Sequence, residues 1–231
     1  MSNGSVPRLI LASASPRRRD LLARLGIPFE VVPSGVEEDD ACLRAPHRQE
    51  GDGDPELLAL RLAFAKARDV ARRASARIGD GMVVLGADTV VVVGEVGGPR
   101  VLGKPANAKE ARAMLELLSG RTHQVTTGVA VGHLRIDAPA EWLCAVVSSQ
   151  VRFRSLTPQD IAEYIATGEP MDKAGGYGIQ GRGGQLVAAV DGDYTNVVGL
   201  PMTAVRHLLA RWYPTLALVG APANEPLRPA L

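Results

Sequence analysis

Aromatic residues are scarce in this chain: three Phe, four Tyr and two Trp make up 4% of its 231 residues. With a formal net charge of only +1, the sequence has neither a basic stripe nor an evident stacking platform, which argues against nucleic acid as a partner. Affinity for phosphate must then come from a local cluster of charge. Cysteine is nearly absent. Cys42 and Cys144 stand alone and far apart, so a disulfide framework and a zinc site are both disfavoured, and free thiols point to a reducing, cytoplasmic compartment. Long apolar runs are missing too. The longest, Met82 to Val93, is too short to span a bilayer and contains Asp88. The opening MSNGSVPRLILAS lacks a basic segment followed by a long apolar core, so no secretory signal, transit peptide or membrane partner is expected.

What remains has a globular balance, 46% hydrophobic and 22% charged. Its length suits one α/β domain, expected over residues 1–213, with a loosely ordered tail of four prolines over 214–231. Leu9 to Ala12 reads as a strand. Ser15-Pro16 then opens a helix that carries Leu21, Leu22 and Leu25 and closes at Gly26. A second strand, Phe29 to Val32, leads to the acidic run Glu37 to Asp40 and an exposed insertion over residues 41–55. From Leu57, apolar positions at Leu60, Phe64, Ala67, Ala71, Ala74 and Ile78 describe one long amphipathic helix. The strand Met82 to Val93 follows, then a helix with a capping-box pattern at Asn107 and Glu110. Two long strands, His123 to Leu134 and Leu143 to Phe153, are expected to pair antiparallel. Thr157 to Asp160 caps a helix through Ile165, a glycine-rich loop fills 175–184, and a strand (Gln185 to Val190) and helix (Pro201 to Trp212) complete the pattern. These elements predict an α/β fold around a mixed central sheet with flanking helices.

Several residues stand out chemically. Arg17, Arg18 and Arg19 occupy a first helical turn, where cations oppose the positive end of the helix dipole at a cost of a few tenths of a kcal/mol each. With Ser13, Ser15 and the free amides of that turn, they would form a phosphate site, while at least one arginine is expected to be a solvated surface charge. Asp88 and Thr89 interrupt an apolar strand, where a carboxylate is expensive unless it meets a metal, a donor or water in a cleft. The bland alternative is an aspartate bonding amides at a strand break beside Gly86. Glu37, Glu38, Asp39 and Asp40 offer hard oxygen ligands suited to Mg²⁺, of which one or two are expected to matter. Lys66, at the edge of the long helix's apolar face, and Lys104, in a Gly-Lys-Pro turn, are surface lysines by default and phosphate ligands if a cleft reaches them. The stretch Asp172 to Gly184 allows close approach of backbone to a ligand, and its Gln180 offers a donor and an acceptor to a base edge, though the Walker ending is missing. His47, His123, His133 and His207 lack a paired nucleophile and are expected to be structural or exposed.

Taken in order, SASPRRRDLL, ADTVVV, GKP, LSGRTHQVTTGVAV, DKAGGYGIQG and NVVGLP resemble the Maf family of nucleotide pyrophosphatases over residues 8–212. The resemblance implies a fold similar to the inosine-triphosphate pyrophosphatases, with two lobes around a cleft. It also implies hydrolysis of a nucleoside triphosphate to the monophosphate and pyrophosphate with a divalent cation, Mg²⁺ or Mn²⁺. By position in the motifs, the resemblance implies that Asp88 is the proton acceptor or mainly a metal ligand, that Arg17, Arg18, Lys66 and Lys104 bind phosphate beside Ser13, and that Glu38 helps to hold metal or water. Arg17, Thr89 and Gln180 match base-selecting positions in a combination similar to the dTTP/UTP branch; the rival branch prefers 7-methylated GTP. A regulator that binds nucleotide without turnover is the competing class. A homodimer is a candidate assembly, symmetric dimers being common among soluble enzymes, and the sequence does not fix the oligomeric state.

Overall fold

The computed structural model describes residues 6–36, 54–75, 81–96, 98–136, 138–216 and 228–229. Strand β1 (Arg8–Leu11) is buried from Leu9 onward and runs directly into α1 (Pro16–Ala23), which starts on proline and buries Leu21 and Leu22. Strand β2 (Phe29–Val31) returns parallel to β1. Helix α2 (Pro55–Arg73) is capped by the Asp54 carboxylate, which accepts from the Glu56 N–H. Then come β3 (Met82–Glu95), β4 (Gly98–Leu102), α3 (Ala108–Leu118), β5 (Thr122–Arg135), β6 (Ala138–Phe153) and α4 (Pro158–Ala166). Three short 3₁₀ turns over 169–186 lead to β7 (Val187–Asp191), α5 (Tyr194–Val198) and α6 (Met202–Leu209). The strands form one mixed sheet in the order β2-β1-β3-β5-β6-β7; β4 also pairs with β3, and β8 (Arg228–Pro229) with β6.

Strand β3 organises the molecule because its side chains alternate between two faces. Val83, Leu85 and Ala87 meet α1 and α6 in one apolar cluster that includes Leu21, Leu22, Leu200, Val205 and Leu208. Further along the same face, Val91 and Val93 enter a second cluster with Leu115, Leu118, Phe153, Ile161 and Tyr164. Thr89 falls between the two. On the other face Met82 and Val84 pack on α2 through Ala63, Ala67, Val70 and Ala71. The alanines recur every fourth residue, so α2 presents a stripe of small side chains to the sheet. Gly86 and Gly128 complete the fit. A Cβ built on Gly86 would fall 2.4 Å from the Ala63 carbonyl oxygen, and one on Gly128 2.4 Å from that of Ala59.

The pairing of β3 leaves a notch. On one edge β5 covers it from Met82 to Val92. On the other, β1 covers it only to Leu85, and β4 resumes cover at Val91. No described strand covers Gly86 to Val90 on that edge. The notch lies where β1 ends and α1 begins, just past the carboxyl end of a parallel strand, where α/β sheets tend to bind ligands.

Some boundaries differ from expectation. The long helix starts at Pro55, so the end of the expected insertion is helical, and it stops at Arg73 with Ala74 as its cap; Ile78 lies outside the described residues. Asn107 caps α3, but the Glu110 carboxylate accepts from the Ala106 N–H, so the reciprocal box is incomplete. The box at Thr157 and Asp160 is complete. Strand β6 begins at Ala138, earlier than expected, because it pairs with β5 from the first turn outward. Helix α6 is shorter than expected, Met202–Leu209. Near the end of the chain Leu216 is buried in a 3₁₀ turn, and Arg228–Pro229 pairs with β6.

Candidate active site

A cleft of about 400 Å³ opens at the notch, lined from one side by the β1–α1 turn and from the other by the glycine-rich segment after α4. It gathers Ser13, Arg17, Arg18, Lys66, Asp88, Thr89, Lys104 and Gln180, residues drawn from five stretches of the chain. Glu38, with the rest of the Glu37 to Asp40 run and most of the 41–55 insertion, lies outside the described residues.

Asp88 carries a buried charge at the site. Its side chain is 5% exposed and forms an ion pair with Lys66 Nζ, itself 11% exposed on α2. The position follows from packing. Gly86, two residues before Asp88, and Ala63, three before Lys66, are in direct backbone approach, so the helix stands close enough to the sheet for the lysine to reach the carboxylate. A buried carboxylate without a partner costs several kcal/mol, and Lys66 offsets that cost. The default reading of Lys66 as a surface lysine is thereby corrected: it is buried because it answers a charge on the neighbouring strand, a relation between elements that helical periodicity does not carry.

On the opposite face of β3, Arg18 is held by three acceptors. Its guanidinium donates to the Gly199 carbonyl (2.8 Å), the Thr89 hydroxyl (3.1 Å) and the Ser13 hydroxyl (3.4 Å). Thr89 Oγ1 lies 2.9 Å from Thr127 Oγ1, and Thr127 donates to the Asn196 carbonyl at 3.1 Å. Thr127 has a single proton, so Thr89 must be the donor between the two hydroxyls. With Arg18 on one lone pair, Thr89 keeps one acceptor site for a ligand. Sequence reasoning missed Thr127, Asn196 and Gly199. The Asp193 cap and the terminal Gly199 of the five-residue α5 were visible signals for that helix.

The start of α1 is arranged as an open end. Ser15 caps with extended backbone but makes no side-chain capping bond, its N–H donating instead to Ser13 Oγ (3.2 Å), and no acidic residue stands in the first turn. Arg17 faces Asp172 Oδ2 at 3.9 Å across the cleft. Burial opposes ionisation of Asp172, but a hydrogen bond from Lys173 and the charges of Lys173 and Arg17 hold its carboxyl below the usual value. Arg19 is the solvated member of the trio, pairing with its neighbour Asp20 at 3.2 Å. Lys104 and Gln180 are exposed at the rim. The Gly175 N–H donates to the Gly103 carbonyl at 3.0 Å, which ties the Lys104 turn to the glycine-rich segment.

His123 takes a structural place. It is buried in the second cluster with Nε2 2.7 Å from the Tyr177 hydroxyl, and burial holds its pKa down to about 4. Among the described residues no group of three His, Cys, Asp or Glu side chains is placed to hold a metal ion. Asp88 is the buried carboxylate in the cleft, a hard oxygen donor that fits Mg²⁺ or Mn²⁺ when phosphate oxygens supply further ligands.

The order of motifs along the chain now has a spatial counterpart, since each contributes one wall of a single cleft. A family model described as Maf-like protein matches residues 8–212. The chain belongs to this Maf-like family. It is 51% identical over 204 residues to the dTTP/UTP pyrophosphatase of Moorella thermoacetica, a match covering 88% of this chain and 94% of that protein. It is 49% identical over 209 residues to the enzyme of the same name from Symbiobacterium thermophilum, with 90% and 95% covered. For the dTTP/UTP pyrophosphatase of Thermococcus kodakarensis the identity is 47% over 200 residues, with 87% and 94% covered.

Proposed function

We propose that this Maf-like protein is a hydrolase that cleaves dTTP and UTP between the α and β phosphates, giving the monophosphate and pyrophosphate. The observation that carries the reading is the buried Asp88–Lys66 pair in a notch that also gathers Ser13, Arg17, Arg18, Thr89 and Lys104. Simple phosphate binding has no use for a carboxylate there, because its charge repels the ligand. A carboxylate that orients water and takes its proton does have a use, and general-base assistance is typically worth about 10²- to 10⁴-fold.

The roles divide by chemistry. Asp88 positions the attacking water and accepts its proton, while Lys66 keeps the carboxylate from acting as a bare negative charge beside the triphosphate. Arg18, oriented by three acceptors, and Arg17, Lys104, Ser13 and the open first turn of α1 receive the phosphates and the charge that gathers on departing pyrophosphate. Asp88, with Glu38, would hold the Mg²⁺ or Mn²⁺ ion, whose chemistry is to neutralise phosphate oxygens. For the base, the Gln180 amide can donate to a carbonyl oxygen of uracil or thymine, and either its own carbonyl or the Thr89 hydroxyl can accept from the ring N3–H. Arg17 reaches the same side of the cleft through its contact with Asp172.

The proposal extends to the setting: one catalytic domain over 1–213, a cytoplasmic location, free nucleotides as substrate, no nucleic-acid or membrane partner, and a homodimer measurable by light scattering. Among the described residues no helix is long and apolar enough to cross a membrane. Pyrophosphate release across a nucleotide panel tests the reading. Turnover is expected to be greatest with dTTP and UTP; preference for 7-methyl-GTP would overturn the base assignment, and binding without release would leave a regulator.

A further inference from the structure

Gln180 sits in a glycine-rich loop, and a loop is a poor platform for selecting a base unless something holds it. Two side chains outside the cleft do so. The Glu169 carboxylate accepts from the Arg182 N–H at 3.1 Å, the Gly183 N–H at 3.3 Å and the Tyr164 hydroxyl at 3.0 Å. The Tyr164 hydroxyl in turn accepts from the Gly178 N–H at 3.1 Å. Backbone amides on both sides of Gln180 are therefore fastened to one tyrosine–carboxylate unit. The unit is anchored, since Tyr164 is 4% exposed in the second apolar cluster and the Glu169 carbonyl accepts from Lys173 Nζ at 2.8 Å. Burial, with the charge of Glu169 beside it, holds the Tyr164 phenol above its ordinary value, so it remains a donor.

The wrap is tight enough to transmit position. Gly181 has φ 114°, and a Cβ there would fall 2.9 Å from Glu169 Oε2. On Gly183 a Cβ would fall 2.4 Å from the Gly178 carbonyl oxygen and 2.6 Å from the Tyr164 hydroxyl. The segment from Gly178 to Gly183 is thus closed on itself around the carboxylate, with Gln180 at its crest facing the cleft. Hydrogen bonds to an ionised acceptor are about twice as strong as neutral ones, so the charge on Glu169 matters as well as its shape.

We infer that Glu169, acting with Tyr164, is a positioning residue for base selection: it sets where Gln180 stands without touching substrate. The inference rests on the proposed role of Gln180. Displacement of a recognition group by about 1 Å can cost up to ~10²-fold, whereas loss of a loop tie far from the phosphates leaves the cations in place. Discrimination should therefore suffer more than turnover.

The test compares kcat/KM for dTTP with that for GTP in Glu169→Gln, Tyr164→Phe and Gln180→Ala, alone and combined, with thermal melting to confirm folding. Glu169→Gln keeps the shape and deletes the charge; Tyr164→Phe keeps the core contact and deletes the hydroxyl. Each is expected to lower the dTTP-to-GTP ratio roughly 10-fold, mainly through KM for dTTP, and to add nothing in the Gln180→Ala background. If Gln180→Ala loses discrimination while both positioning variants keep the wild-type ratio, the inference is overturned and the base assignment stands. If Gln180→Ala itself keeps wild-type discrimination, the base assignment and the inference fall together.

Discussion

Replacing Gly86 with alanine adds one methyl group at the point where α2 lies against β3. The new Cβ would stand 2.4 Å from the Ala63 carbonyl oxygen, 2.8 Å from the Ala67 nitrogen and 2.9 Å from the Ala67 Cβ. Ordinary contact is about 3.5 Å, so helix and strand must separate by roughly 1 Å. Overpacking of this kind costs about 1–3 kcal/mol. For a protein of this size, 1 kcal/mol moves Tm by ~2–4 °C, so Tm should fall by about 2–12 °C. Activity should fall further than stability implies, because the retreating helix takes Lys66 away from Asp88, and a misplacement of about 1 Å can cost ~10²-fold. The assay is thermal melting and steady-state pyrophosphate release from dTTP on the same preparation. Gly94→Ala is the control, since nothing lies within 4 Å of a Cβ there. A Gly86→Ala protein that melts and turns over like the wild type would refute the argument that close backbone approach sets the ion pair.

Three further outcomes follow from the same structure. Lys66→Met keeps the helix stem but removes the ammonium that pairs with the buried Asp88 carboxylate, so denaturant titration should show a loss of up to about 3–5 kcal/mol; a loss below ~1 kcal/mol would mean the pair is not a desolvated one. In the unfolded chain His123 takes up a proton near its ordinary 6.5, and in the native state only near 4. The unfolded state therefore binds more protons between those values, and stability should decline as pH falls from about 6.5 to 4, by up to ~3 kcal/mol. His123→Phe should flatten that window, and an unchanged pH profile would contradict the burial of a neutral imidazole. Exhaustive chelation should abolish turnover, with recovery on adding Mg²⁺ or Mn²⁺ but not Ca²⁺ to the same level, whose larger coordination shell fits two carboxylates and a phosphate chain poorly. Full activity in chelator would remove the metal from the account.

Legibility in the sequence varied with the range of the interaction. The β1–α1 turn was readable because proline at a first helical position and leucines at helical spacing are local signals, and Asp88 was readable because a carboxylate in a run of valines is costly wherever the strand lies. The gathering of Ser13, Arg17, Arg18, Lys66, Thr89, Lys104 and Gln180 came from the order of motifs, and the cleft brings all of them together with Asp88. What could not be read was tertiary. The notch exists because pairing with β1 ends at Leu85 and pairing with β4 begins at Val91, with five residues of β3 between them, a fact of strand pairing that neither strand's composition records. The reach of Lys66 depends on two glycines and a stripe of alanines meeting across elements. Glu169 was invisible for the same reason, since a lone glutamate before a glycine-rich stretch looks solvated until the amides of Arg182 and Gly183 close over it. The five-residue α5 was overlooked although its aspartate cap and terminal glycine were present, because it is too short to show periodicity.

The central claim is that the Asp88 carboxylate makes this cleft catalytic, and Asp88→Asn tests it most directly by keeping the side chain's size and deleting its charge. Turnover of dTTP and nucleotide affinity are measured on one preparation shown by thermal melting to be folded. Turnover should fall at least ~10²-fold, the low end of what a general base contributes, while nucleotide binding holds or tightens because a negative charge has left the phosphate site. A folded Asp88→Asn protein that releases pyrophosphate from dTTP at a near-wild-type rate would contradict the claim.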